Sequence, residues 1–166
     1  KIIELEYIIG LSLFLKVFSF FDCVFVTPGP FTIFRKDVVM RIGGFDETSI
    51  TEDLEIAYRI HRAGYSIANC INTCTHTIAP PTFTGIYRQR KRWYAGAIQT
   101  LVKHRDVFFN KKYGTFGYFV PFNYLLIFVG LSLFFTSTYL GISRLVQTAW
   151  HYQYTNFNFI EQILSY

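Results

Sequence analysis

From position 113 to position 143 the chain carries no charged residue, with Lys112 on one side and Arg144 on the other. About 20 apolar residues suffice to cross the hydrocarbon core of a bilayer, so residues 114–143 read as a transmembrane segment. Pro121 places the start of the main span near residues 119–124, and Gly141 marks its end. Arg88, Arg90, Lys91, Arg92, Lys103, Arg105, Lys111 and Lys112 precede the span, and only Arg144 follows it closely. The positive-inside bias therefore puts residues 1–113 on the cytosolic side of a plasma membrane or its equivalent. Residues 144–166 then form an interfacial or extracytoplasmic tail, in which Trp150, Tyr152 and Tyr154 resemble an aromatic belt. Composition agrees: 51% of the 166 residues are hydrophobic and 16% charged, against roughly 25% charged in soluble domains. Intrinsic disorder is excluded by the same figures. The net charge of +5 suits acidic lipids, nucleotides or nucleic acid as partners.

Before the span the pattern is mixed. Residues 2–21 are apolar but carry Glu4, Glu6 and Lys16, which a spanning helix tolerates poorly. They read as a buried or interfacial helix. Glu4 and Glu6 also have the wrong charge for the n-region of a signal peptide. Residues 23–26, 31–34 and 65–71 are β-rich, and Pro28-Gly29-Pro30 marks a loop. A short helix is expected over residues 38–42, ended by Gly43-Gly44. Ser49 or Thr51 can cap the next helix, which Gly64 ends. Thr82 can cap a long helix running to about Val107. Cys23, Cys70 and Cys74 cannot all pair with one another and fit reduced thiols. There is no internal repeat and no low-complexity segment.

Two clusters can carry chemistry. Glu52 and Asp53 follow Thr51 near a helix N-terminus. Spacing alone favours dipole complementation, worth some 0.3–1 kcal/mol each. The functional reading makes one carboxylate a general base for an attacking hydroxyl. On the long helix, Gln89, Arg92, Trp93 and Gly96 fall at i, i+3, i+4 and i+7 and share a face. Ile86, Tyr94, Ala97, Ile98 and Leu101 cluster elsewhere, on the face expected to be buried. A guanidinium can grip a diphosphate, an indole can stack on a sugar ring, and Gly96 leaves room for something to approach. Attraction of the basic cluster to anionic lipid explains the lysines and arginines, but not Gln89 and Trp93.

The order Gly43-Gly44-Phe45-Asp46, Thr51-Glu52-Asp53, Gln89-x-x-Arg92-Trp93 and then a span resembles the processive, membrane-embedded family-two glycosyltransferases. These include the cellulose, chitin, hyaluronan and poly-N-acetylglucosamine synthases. Pro28-Gly29-Pro30 leading to Arg35-Lys36 resembles their acceptor-side loop, and Glu6-Tyr7 the preceding helix. The resemblance implies an α/β, GT-A-like nucleotide-diphospho-sugar transferase domain, of which residues 1–113 are the acceptor-side half. It implies that Asp53 is the catalytic base, supported by Glu52, in an inverting transfer from a nucleotide-sugar donor to a glycan acceptor. Gln89 and Arg92 would bind the donor diphosphate, and Trp93 and Gly29 the acceptor.

The family also uses a divalent cation, Mg or Mn, held by an Asp-x-Asp pair that this sequence lacks. The donor half is therefore expected from a longer enzyme or a split subunit, with the present chain inactive alone. Cys70-x-x-x-Cys74-x-His76, with His61 nearby, lacks the tight paired spacing of structural zinc sites, so no metal is assigned. The basic run at residues 88–92 comes without any nucleic-acid-binding module, and no nucleic acid is assigned as partner. The competing interpretation is a non-catalytic, membrane-anchored domain that binds anionic lipid or a protein partner.

Overall fold

The computed structural model describes residues 2–73 and 75–154. Its α-helices are α1 (Ile2–Tyr7), α2 (Leu15–Phe20), α3 (Lys36–Arg41), α4 (Glu52–Arg62), α5 (Phe83–Lys103) and α6 (Gly114–Tyr154). A π-helical stretch, Ile8–Phe14, joins α1 to α2 without a break. The chain divides into two compact units, residues 1–122 and residues 123–166.

In the first unit the core gathers on α4. Leu54, Ile56, Ala57, Tyr58 and Ile60 are buried with Cys23, Val24, Val107, Phe116 and Val120. The Tyr58 ring meets Phe116 edge-on, and His61 stacks on the same ring at 4.0 Å. His61 Nε2 lies 2.8 Å from the Val24 carbonyl. A carbonyl only accepts, so this nitrogen carries the proton and donates. Burial depresses the His61 pKa and keeps the ring neutral. Phe18, Phe25 and Phe119 form a second cluster, with centroids 4.8–6.4 Å apart.

Helix ends follow the glycines. After α3, Gly43 N–H donates to Met40 O and Gly44 N–H to Val39 O, with both glycines at positive φ. This double closure needs a left-handed residue, which glycine adopts without a Cβ clash. Gly64 ends α4 the same way, with Gly64 and Tyr65 donating to His61 and Ile60. Thr82 caps α5 as expected, accepting from Gly85 N–H. The helix stops at Lys103, and a 3-10 turn, Arg105–Val107, completes the stretch to Val107.

Four sequence expectations need correcting. The described residues contain no strand, so the α/β sheet is not observed in them. Residues 23–28 and 65–70 carry no regular secondary structure, and four of their amide donors are committed elsewhere. Cys23 N–H goes to Phe18 O, Thr27 N–H to Asp53 O, Tyr65 N–H to Ile60 O and Asn69 N–H to Ser19 Oγ. A ladder needs such groups free to face a neighbouring strand. Residues 2–20 are helical, and the buried alternative is overturned: among the side chains described there only Leu15 is buried, while Leu5, Ile8, Leu13 and Phe20 are exposed.

The third correction concerns α5. Gly96 and Thr100 are its buried residues, whereas Tyr94 and Ile98 are exposed. Gly96 lets α5 approach Thr51 closely, and on the same face Gln89, Gln99 and Lys103 hydrogen-bond to Tyr7, to the backbone of residues 48–50 and to Glu55. The fourth concerns Thr51. It precedes α4 as anticipated, but its side chain makes no capping hydrogen bond.

In α6, Pro121 sits inside the helix rather than at its start. Proline cannot donate to the carbonyl four residues back. That carbonyl, Gly117 O, accepts from Phe109 N–H instead. A Cβ on Gly117 would lie 2.5 Å from Asn110 O, so glycine is required for this corner to close. From Asn123 onward α6 forms the second unit as far as it is described. Over its whole length α6 is long and apolar enough to cross a membrane.

Candidate active site

Asp53 lies in the first turn of α4 and is half-buried. Its backbone carbonyl accepts twice from Thr27, from N–H at 3.1 Å and from Oγ1 at 2.8 Å. The extended segment after α2 is thereby pinned to the start of α4. Asp53 Oδ1 accepts from Leu54 N–H at 2.9 Å. Burial pushes the Asp53 carboxyl above the ordinary Asp range, and the Glu52 charge adds to this. The Leu54 N–H and the Arg92 guanidinium oppose the rise without cancelling it. The result is a carboxylate that holds its proton more tightly than usual and lies within the electrostatic reach of Arg92.

The α5 contact brings these two groups together. A Cβ built on Gly96 would lie 2.2 Å from Thr51 Oγ1 and 2.8 Å from Thr51 Cβ, well inside contact distance. The room left by Gly96 is filled by Thr51. One turn toward the N-terminus, Arg92 is exposed and Trp93 half-buried. Gln89 Oε1 accepts from Tyr7 Oη at 3.3 Å. The Tyr7 and Trp93 rings are 6.4 Å apart. Arg90 pairs with Glu6 at 2.5 Å and lies 4.6 Å from the Trp93 ring. Glu6-Tyr7 and Gln89-x-x-Arg92-Trp93 are therefore neighbours in space.

Glu55, two residues beyond Asp53, is 1% exposed. It accepts from Arg59 at 2.7 Å, Lys103 at 2.8 Å and His104 at 3.1 Å. Burial opposes its ionisation, but the bonds from Lys103, Arg59 and His104 outweigh this and hold the carboxyl below its usual range. His104 Nδ1 lies 2.8 Å from Arg62 Nη1, a nitrogen that only donates. The proton is therefore on Nε2, facing Glu55. Burial lowers the His104 pKa, consistent with this neutral tautomer. Lys103 also reaches Asp46, whose Oδ1 accepts from Thr48 N–H and Oγ1.

The remaining sequence candidates are less tightly joined. Glu52 is exposed beside Asp53. Gly29 is exposed, with open space where a Cβ would stand, two residues beyond Thr27. A groove of about 1440 Å³ is lined in part by Tyr7, Thr27, Pro28, Phe34, Ile67 and His76. Asp53, Arg92 and Trp93 do not line it. Asp53 feels the Arg92 charge from the start of α4, where Thr51 meets Gly96 of α5, whereas the ring neighbour of Trp93 is Tyr7. Sequence reasoning missed Thr27, Glu55, Gln99 and Lys103. Glu55 had a signal in its i, i+4 relation to Arg59. Gln99 and Lys103 continue the helix face of Gln89, Arg92 and Gly96.

The donor set does not fit a divalent cation. Among the described residues no group of three or more His, Cys, Asp or Glu side chains could hold one. The buried carboxylate, Glu55, is saturated by three donors, and Asp46 is paired with Lys103.

Residues 8–160 match the family model described as Glycosyl transferase family group 2. The chain belongs to this glycosyltransferase family. Family-two membership makes it part of a transferase and fits a nucleotide-sugar transferase fold. The sequence is 33% identical over 92 residues to poly-beta-1,6-N-acetyl-D-glucosamine synthase of Staphylococcus aureus (strain COL), covering 55% of this chain and 22% of that protein. It is 27% identical over 103 residues to the synthase of the same name from Staphylococcus epidermidis, covering 62% of this chain and 25% of that one. The match thus spans about a quarter of the length of these curated family-two relatives. No solved structure matches.

Proposed function

We propose that this chain is the acceptor-side part of a membrane-bound synthase that transfers a sugar, with inversion, from a nucleotide-diphosphate donor to a growing polysaccharide. The observation that carries this reading is the pairing of a half-buried Asp53, its pKa raised by burial, with the Arg92 charge. A base must be ionised to act and must also want the proton. The rise caused by burial makes Asp53 a stronger proton acceptor than an ordinary aspartate.

In the reaction, Asp53 takes the proton of an acceptor hydroxyl. The hydroxyl oxygen attacks the anomeric carbon from the face opposite the diphosphate. The carbon–oxygen bond to the diphosphate breaks, and its electron pair stays on the phosphate oxygen. Arg92, with Gln89 held toward it by Tyr7, stabilises that developing charge. Trp93 stacks on the acceptor sugar, with Gly29 on the acceptor-side loop. Glu52 supports Asp53 by position.

The donor-binding half, and any ligands for a divalent cation, would come from residues other than those described, in a longer protein or a partner subunit. The α/β sheet implied by the family resemblance would be supplied by the same half. The names of the relatives support an N-acetylglucosamine polymer as product. The basic residues before α6 support a cytosolic placement of residues 1–113, with residues 114–143 spanning and 144–166 beyond. Anionic-lipid binding as the sole role accounts less well for Arg90, which is committed to Glu6 and Trp93.

The test uses the full membrane-embedded protein that carries this chain. Asp53→Asn should abolish sugar transfer and leave nucleotide-sugar binding within about twofold. Undiminished turnover overturns the assignment.

A further inference from the structure

Gln99 of α5 ties down the backbone of the loop leading into α4. Gln99 Oε1 accepts from Ile50 N–H at 3.0 Å, and Gln99 Nε2 donates to Thr48 O at 3.3 Å. Both amide atoms are thus used on the backbone of the three residues preceding Thr51. Gln99 stands one turn beyond Gly96 and two turns beyond Arg92. One helix face therefore carries the Arg92 charge, the Thr51 contact and the Gln99 clamp. Lys103 extends it one further turn, bridging Asp46 at the start of the loop to Glu55 behind Asp53.

We propose that Gln99 is a positioning residue that sets the Asp53 carboxylate against Arg92 by clamping residues 48–50 to α5. The inference rests on the proposed glycosyl transfer and on Asp53 as its base. The physical basis is register. Thr51 packs into the space at Gly96, and its Oγ1 makes no hydrogen bond there. The two Gln99 hydrogen bonds are directional, and they fix where along α5 the loop sits. A displacement of about 1 Å in a reacting group can lower a rate by about 100-fold.

Gln99 is exposed, so its replacement leaves the core intact. Gln99→Met keeps the side-chain length and removes both hydrogen bonds, whereas Gln99→Glu keeps an acceptor for Ile50 N–H alone. In the full membrane-embedded protein, Gln99→Met should lower kcat by about tenfold or more, with the donor KM unchanged. Hydrogen exchange at the Ile50 amide should quicken by about tenfold. Gln99→Glu should recover part of the kcat and most of the Ile50 protection.

A normal kcat in Gln99→Met, a donor KM that rises in step with the fall in kcat, or a loss that Gln99→Glu does not recover even in part, overturns the positioning role. Asp53→Asn run in parallel separates the two claims. If it is inactive while Gln99→Met behaves as wild type, only the clamp fails. If Asp53→Asn turns over normally, both fail.

Discussion

Gly96 of α5 and Thr51 ahead of α4 occupy each other's space so closely that a single added methyl would stand 2.2 Å from the threonine hydroxyl oxygen. Thr51 is 5% exposed and cannot swing into solvent. Gly96→Ala must therefore push α5 from the start of α4, at a cost of about 1–3 kcal/mol for an overpacked site. Thermal unfolding should register that loss, and sugar transfer should fall with it. In a double-mutant cycle, Thr51→Gly should relieve much of the penalty, because it removes all three clashing atoms.

Asp53→Asn should separate stability from activity. Burial raises the folded-state pKa of Asp53 above the unfolded value. Its stabilising effect is therefore complete below the ordinary Asp range, near about 3.9, and disappears as pH rises through the folded pKa. At neutral pH the ionised side chain is a burden. Denaturant unfolding at pH 7 should show Asp53→Asn as stable as wild type or more so, with transfer lost. Marked destabilisation at pH 7 would contradict the burial argument.

Arg92 and Arg90 are neighbours in sequence with different surroundings. Arg90 is held by Glu6 and lies over Trp93, whereas Arg92 acts on Asp53 through charge. Arg92→Ala should reduce kcat by about 100-fold or more, on the scale of losing one charge-stabilising group. It should also move the acidic limb of the pH profile upward, since the Arg92 charge lowers the Asp53 pKa. Arg90→Ala should leave that limb in place and cost at most about 1 kcal/mol of stability. Equal effects of the two changes would favour a diffuse basic patch.

Glu55 is the group on which acid stability should depend. Its carboxyl is held below the ordinary Glu range against the opposing effect of burial. Its contribution is present above about pH 4.3, the unfolded value, and is lost as pH falls through the lower folded pKa. Glu55→Gln leaves Lys103, Arg59 and His104 facing a neutral amide, at a cost of about 3–5 kcal/mol for breaking a buried pair. Chemical denaturation from pH 3 to pH 7 should show the mutant losing less stability on acidification than wild type.

The sequence alone carried the elements of one dimension. The uncharged stretch between Lys112 and Arg144, the stop signals at Gly43-Gly44 and Gly64, and the Thr82 cap were readable because each acts within a few residues of itself. The motif order, from Thr51-Glu52-Asp53 to Gln89-x-x-Arg92-Trp93, was enough to suggest the family to which residues 8–160 belong. Only tertiary structure decided which side of α5 turns inward. Hydrophobic periodicity pointed to Tyr94 and Ile98, but helices approach closely where side chains are small, and Gly96 with Thr100 gave α5 its contact. The same limit hid Glu55, Gln99 and Lys103. Their partners lie 4 to 57 positions away in the chain, most of them more than 40. Pairings across that distance are set by how two helices dock, which no local spacing encodes.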